Sequence, residues 1–537
     1  MNFDYHNKNI DSICTPHQLK VLNAKREHGT ITAAAKVLGT TEHNVKSALL
    51  KIRKKSAGIE SEPQVIMEGT KQHPRHRRGK LTGNRFIFTS AQNNTLPNEE
   101  MLNTLEQMCS ILNAQLFIGG FTYARSEQSR SEKSQTGFSK RLEKYMLNEQ
   151  MEIAEGLTWC GELNILPTAQ YPAGQYKSYC GSDSLIIPHA KAQLESVASE
   201  IDRDAKLVFT TGAVTQLNYI QKSAGQKAEW DHIFGAVMVE IDDCGNWHAR
   251  DLNFESKTGH VYDLGMLYTQ DGHVDDDYFV DVVSLPDAHI DKVSDAELEP
   301  WLSMLDRFNP RYITSNDTHD HSRRNHHNIK DPYFRFRHWV SGDECVRSEV
   351  ARSVWFLNKL QDYVRDSVVV VESNHDIAIE RWLKEQDYRA DPVNALFFLE
   401  LQKANYEFMQ NNPQEVMQSF KVACEIVNGG EFELVRFLET DEPFRIGGVV
   451  HGQHGHNGTG GSRGSIRQYA RLGEKYTKGH SHKAGRIGGV YENGVMMRRK
   501  NAGYVKGQDA WSGAFTLQYV NGKRQMLIMR DSGRFCL

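Results

Sequence analysis

The sequence predicts an α/β protein of several units, on three observations. Strand-like apolar runs alternate with helix-like segments along most of its 537 residues. Its composition, 39% hydrophobic and 25% charged, is that of an ordinary globular chain. Five of the strand-like runs end directly in Asp, Asn or His, as they do where side chains collect at one edge of a sheet.

At about 100 to 200 residues per domain the length allows three or four domains, each with a core of its own. The eight cysteines include no CxxC pair, which argues against thiolate zinc sites. No run approaches the roughly 18 apolar residues of a membrane helix, and MNFDYHNKN lacks the basic-then-apolar order of a signal peptide. The expected place is a cytoplasm, with no membrane partner. Net charge is -4, yet residues 1–83 hold 15 Lys+Arg against 7 Asp+Glu, leaving 49 against 61 in the remainder. A basic front on an acidic body points to a nucleic-acid contact at the front.

The elements follow in order. Between Thr15 and Lys55 the pattern gives three short helices: TPHQLKVLNAKREHG opens on Thr-Pro, ITAAAKVLG ends on Gly39, and TTEHNVKSALLKIRKK resumes behind Thr caps. Ala35, Gly39 and Val45 stand where a helix-turn-helix needs a small residue, a left-handed turn and an apolar anchor. Residues 1–56 are therefore a DNA-binding-like unit. Its last helix would put Thr41, Glu42, Asn44 and Lys46 near bases and Lys51, Arg53, Lys54 and Lys55 near phosphates of double-stranded DNA. Residues 57–83, with KQHPRHRRGK, are a basic linker.

Residues 84–275 read as an additional α/β domain of unassigned role, with strands near 85–89, 115–123, 184–188, 206–212 and 235–241 and helices over 97–113 and 189–203. In residues 276–537 the five runs are YFVDVVSLP before Asp287-Ala-His289, RYITS before Asn316-Asp317, SVVVVES before Asn374-His375-Asp376, RIGGVV before His451, and KYTKG before His480-Ser-His482. Residues 377–445 are helix-rich, and FTLQYV and RQMLIMR flank Asn521-Gly522 as a hairpin with an expected type I′ turn.

Carboxylates, a carboxamide and imidazoles without sulfur are the donor set of two hard-to-borderline cations that share a bridging carboxylate. An isolated DxH or HxH is more often a surface turn; the ordered set carries the inference. The fourth run offers His451, His454 and His456. His451 is preferred because it directly follows the apolar run, with His454 in reserve. In NDTHDHSRRNHHN the residues His319, Asp320, His321, His326 and His327 are so dense that most must be bystanders, and Asp343 follows no strand-like run. The Gly-rich stretch after His456, with Arg463, suits either a phosphate cradle or a surface loop.

The ordered set DxH, (G/N)D, NHD, H and GHxH resembles the calcineurin-like metallophosphoesterases, including the SbcD-type nucleases, over residues 278–500. The resemblance implies a four-layer αββα core within 276–537. It implies that Asp287, His289 and His482 hold one metal, that Asn374, His451 and His480 hold the other, that Asp317 bridges them, and that His375 is the proton donor or transition-state stabiliser. Asn316 and Ser373 stand where the family usually has glycine, which bears on turn shape more than on ligand chemistry. Asp376 is the expected carboxylate partner of His375. Two divalent ions are implied, with Mn2+ favoured and Mg2+, Fe2+ or Zn2+ as alternatives.

The chemistry implied is phosphoester hydrolysis by a hydroxide activated between the two metals. A metallophosphoesterase core does not choose its substrate. The helix-turn-helix and basic linker direct the expectation to DNA. The overall arrangement is similar to the pre-early host-DNA-degrading nucleases of T-odd siphophages, which implies a Mn-dependent DNase and homo-oligomer in an infected bacterial cytoplasm. Two other classes fit the same residues: a DNA-binding regulator with a non-nucleolytic core, and a small-substrate phosphatase or phosphodiesterase. A full ligand set argues against an inactive core.

Overall fold

The computed structural model describes residues 10–11, 14–57, 65–66, 79–123, 137–200, 203–276, 278–415, 417–502, 506–530 and 533–535. Two ten-stranded mixed sheets dominate it. The first runs, edge to edge, through Val435–Phe437, Ser367–Val370, Tyr312–Asn316, Val280–Asp287, Gly513–Tyr519, Arg524–Met529, Trp247–Asn253, Gly235–Ile241, Arg85–Gln92 and Gln115–Phe121. The second runs through Arg445–Ile446, Val449–Val450, Lys475–Lys478, Val490–Asn493, Ala484–Ile487, Gln193–Val197, Lys206–Thr210, Ser184–Ile187, Leu157–Cys160 and Gln150–Ala154.

The sheets face each other across an apolar core. Phe86, Phe88, Val237 and Met526 of the first meet Trp159, Ile186, Leu207 and Phe209 of the second, and Phe88 stacks on Trp159 with ring centroids 4.9 Å apart. Helices Asp295–Phe308, Val346–Gln361, Ala395–Asn411 and Ser419–Asn428 cover the outer face of the first sheet at its parallel end, and Glu99–Leu112 covers the other end. The second sheet is covered mainly by segment 163–180, with the 3-10 turn Ala173–Tyr176, and by the short helix Ile466–Ala470.

Both sheets cross the boundary expected at residue 275. Arg250 pairs with Leu527 in the first sheet, and Glu195 pairs with Gly485 in the second. Residues 84–275 thus supply strands to the same two sheets as residues 276–537. The helix expected over 189–203 is instead the strand Gln193–Val197, paired on both sides, with Lys206–Thr210 and Ala484–Ile487. Its local helix formers are overridden because a strand there completes two ladders. The hairpin Gly513–Tyr519 with Arg524–Met529 forms as expected, yet only Gly522 of the Asn-Gly pair has positive φ (75°). With the Gly522 amide donating to the Tyr519 carbonyl at 2.8 Å, the link is a three-residue loop closed by a left-handed glycine, not type I′.

At the N-terminus Pro16–His28, Ile31–Val37 and Glu42–Ala57 pack on one another through Val21, Leu22, Ala34, Ala35, Val45, Leu49 and Ile52. Thr15 closes a capping box on the first helix. Gly39 takes φ 62° between the second and third. Of the linker, Val65–Ile66 pairs with Gly137–Phe138, and most of the rest lies outside the described residues.

Candidate metal centre

The site follows from strand direction. Val280–Asp287, Tyr312–Asn316, Ser367–Val370 and Val435–Phe437 run parallel, so the residues after them leave the first sheet on one side. In the second sheet Val449–Val450, Lys475–Lys478 and Val490–Asn493 are also parallel, and the loops after the first two meet the same edge. Beyond the strands the backbones stay tied: the amides of Ala288 and His289 donate to the carbonyls of Asn316 and Asp317 at 2.9 and 2.7 Å. The amide of Gly479 donates to the carbonyl of His454 at 3.0 Å.

Five polar residues around the site hold left-handed backbone: His289 (φ 42°), Asp317 (41°), His321 (51°), His480 (80°) and His482 (57°). Non-glycine residues adopt this region at a cost, and they do so where a surrounding framework holds them. At position 479 a side chain is excluded altogether, since a Cβ there would overlap Oδ1 of Asp287.

Asp287, His289, Asp317 and His482 converge. Nε2 of His289 lies 3.1 Å from Nε2 of His482 and 3.5 Å from Oδ2 of Asp317, and His482 lies 3.6 Å from Oδ2 of Asp287. Two imidazole nitrogens on one tetrahedral ion at about 2.0–2.1 Å are roughly 3.3 Å apart, so this spacing is that of co-ligands. On the other side of Asp317, Nε2 of His454 lies 3.3 Å from its Oδ2, and the His454 and His480 rings are 5.2 Å apart. Nδ1 of His480 stands 3.1 Å from Oδ1 of Asn374. Asp317 thus lies between two groups of donors.

The fit to cations rests on buried atoms that have nothing to bond. Both carboxylate oxygens of Asp317, Oδ1 of Asp287 and both ring nitrogens of His454 lack a hydrogen-bond partner. Asp287, Asp317 and His454 are buried, whereas Asn374, His375 and His480 are half-buried and mark the open side. Such atoms are costly to bury unless a cation engages them. Burial, with Asp317 alongside, pushes the Asp287 carboxyl well up, while Asp317 is held down, against its burial, by His454 and His375. Burial holds His454 below its usual value and His480 at about 3, and it is in the neutral form that an imidazole ligates a metal.

Two expected assignments change. His451 does not reach the cluster: its Nδ1 is 3.0 Å from Oγ of Ser284 and its Nε2 is 2.9 Å from Oε1 of Gln518, so both nitrogens are engaged between the sheets. His454, three residues on and past the turn at Gly452, takes the place beside Asp287 and Asp317. Asp376 does not orient His375. Its Oδ1 accepts the backbone amide of His319 at 3.3 Å, and it is buried below the site.

The carboxylate on His375 is Asp320. Oδ1 of Asp320 is 3.1 Å from Nδ1 of His375 and 3.0 Å from Nδ1 of His289, and Nζ of Lys292 lies 3.6 Å from Oδ2. His375 is raised to about 10 even though burial opposes its charge, because Asp317 and Asp320 stabilise the protonated ring. Asp320 stands in NDTHDHSRRNHHN, where most of the metal-like residues are expected to be bystanders. Its signal in the sequence was its place three residues after Asp317, in the segment that follows the second strand-like run.

Of the other expected residues, Thr41, Asn44, Lys46 and Lys51 are exposed on the third N-terminal helix. Thr41 caps that helix, accepting the amide of Asn44 at 3.3 Å, and Lys46 pairs with Glu42 at 3.7 Å. The side chains of Arg53, Lys54 and Lys55 lie outside the described residues. Among the described residues no helix is long and apolar enough to cross a membrane.

No protein-family model matches the chain, and no solved structure matches it. A curated relative does: "Protein A1" of Escherichia phage T5 is 32% identical over 468 residues, which cover 84% of this chain and 83% of that protein. At that identity and coverage the chain belongs to the family of phage T5 Protein A1.

Proposed function

We propose that the chain is a metal-dependent DNase that hydrolyses phosphodiester bonds and degrades host DNA during phage infection. The observation that carries this reading is the convergence of Asp287, His289, Asp317 and His482 with Asn374, His454 and His480, around carboxylate oxygens that no protein donor satisfies. Asp287, His289 and His482 would hold one divalent ion, Asn374, His454 and His480 a second, and Asp317 both. Such a pair supplies positive charge for a phosphate and a water whose pKa falls toward neutrality. Mixed oxygen and imidazole donors suit Mn2+, with Fe2+, Zn2+ and Mg2+ as alternatives.

The chain's own residues supply the rest. His375, half-buried at the opening with its Nδ1 3.1 Å from Oδ1 of Asp320, is placed to give a proton to the leaving oxygen. Asp320 fixes the ring positions of His375 and His289 together. The basic N-terminal unit, with Thr41, Asn44, Lys46 and Lys51 exposed and Arg53, Lys54 and Lys55 following, is proposed to bind duplex DNA. A bacterial cytoplasm and a homo-oligomer belong to the same reading.

The test is cleavage of supercoiled plasmid by purified protein with Mn2+, repeated with Asp317→Ala and His375→Ala. Cleavage that both substitutions abolish supports the reading. Plasmid binding without metal-dependent cleavage would make the chain a regulator, and turnover of aryl phosphates that DNA does not compete for would make it a small-substrate phosphatase.

A further inference from the structure

Behind the candidate centre lies a second group of donors. His319 and His321 flank Asp320 in the chain and turn inward, and Glu349 projects at them from the helix Val346–Gln361. All three are fully buried. One ring nitrogen from each histidine and one carboxylate oxygen of Glu349 lie within 4.8 Å of one another. We infer that His319, His321 and Glu349 hold a further divalent cation, of the borderline class that takes imidazole and carboxylate together, as a structural ion that fixes the Asp320 loop.

Three observations support this. Nε2 of His319 faces Nδ1 of His321 at 3.3 Å, the separation of two imidazole ligands on a tetrahedral ion at about 2.0–2.1 Å. The far nitrogen of His319, Nδ1, is 3.2 Å from Oγ of Ser353, one helical turn after Glu349, the outer contact that orients a ligating imidazole. Oε2 of Glu349 is buried with no hydrogen-bond partner, while Oε1 accepts the Ser322 amide at 2.6 Å. A direct bond between the two rings leaves Oε2 orphaned; a cation among the three donors engages it as well as both nitrogens. Arg323 supplies nearby positive charge, yet its Nη1 stands 3.8 Å from Oε2 and is itself without a hydrogen-bond partner.

The rings are set by packing: His319 stacks on Phe420 with centroids 5.3 Å apart, and His321 lies 5.7 Å from Trp382. A site so enclosed is loaded as the chain folds and releases its ion slowly. Its purpose follows from position, since the two histidines bracket Asp320, which holds both His289 and His375.

The experiment is elemental analysis of the full chain refolded with excess Mn2+ or Zn2+ and freed of loose metal by gel filtration. Wild type is expected to carry about three ions per chain, and Asp317→Asn with His454→Ala about one. Adding His321→Ala to that variant removes the remaining ion. Glu349→Gln, which keeps the oxygen that accepts the Ser322 amide and so tests a variant that folds, weakens retention of this ion at least tenfold in a chelator competition. Two ions in wild type, unchanged by His321→Ala and by Glu349→Gln, would overturn the inference and leave the two-ion centre standing. One ion that survives Asp317→Asn and leaves with His321→Ala would do the reverse.

Discussion

Asp317 is the residue on which the chemistry turns, because its two unpartnered oxygens face donors from both sheets. Asp317→Ala is expected to remove the two ions of the centre, leaving the enclosed ion at His319, His321 and Glu349, and to reduce DNA cleavage below detection, measured by elemental analysis and plasmid nicking. Asp320→Asn is milder: it loosens His289 and His375 without removing a ligand, and should cost about 10- to 100-fold in metal affinity or rate. The two histidines of the fourth run separate cleanly. His454→Ala should lose an ion, whereas His451→Ala should keep the metal and lower stability by about 1–3 kcal/mol, because the polar atoms of Ser284 and Gln518 would be left buried without it. The sequence could rank these two only by distance from an apolar run. What it could not show is that the chain passes His451 between the sheets, turns at Gly452, and reaches the pocket at His454. Asp320 was hidden for another reason, crowding by like residues, of which only the fold says which way each points.

The elements on which the site stands were legible where sequence period and tertiary need agree. The strands before Asp287, Asp317 and Asn374 were readable as apolar runs because each is buried in a parallel ladder. Gln193–Val197 was not, since its composition favours helix and only its two neighbours make it a strand. The helix Glu99–Leu112 gives a test at this scale. Arg141 donates to both oxygens of Glu106 at 2.7 and 2.6 Å, and Tyr145 adds a third bond, which ties the helix to the 3-10 segment Lys140–Tyr145. The Arg141 bonds, with smaller help from Tyr145 and Lys144, hold the Glu106 carboxyl at about 2 although partial burial opposes this. A carboxyl lowered on folding stabilises above its unfolded value of 4.5, and that contribution is lost as pH falls from there through about 2. Denaturation midpoints should therefore differ between wild type and Glu106→Gln at pH 6 and converge as the pH is lowered across that window.

At the scale of the molecule, residues 84–275 act as part of the platform that carries the centre. The strand Gln193–Val197 holds Ala484–Ile487, just past His482, and Trp247–Asn253 holds the final hairpin. Buried polar contacts join the same segments: Arg486 reaches Asn253 at 2.8 Å, and Asn253 reaches the carbonyl of Arg524 at 2.7 Å. A fragment of residues 276–537 is thus expected to be insoluble or partly folded, because the apolar layer of Phe86, Trp159, Phe209 and Val239 would be missing. Residues 84–537 should instead unfold in one calorimetric transition. Composition shifts marked the N-terminal helices and the basic stretch, but nothing in the sequence near residue 275 shows that hydrogen-bond ladders pass across it.

Anomalous diffraction from crystals soaked in Mn2+ tests the central claim most directly. The account predicts two manganese peaks about 3.5–4 Å apart, one enclosed by Asp287, His289 and His482, the other by Asn374, His454 and His480, with Asp317 reaching both. Density without an anomalous peak among these seven residues, at a manganese concentration that saturates any activity, would contradict it.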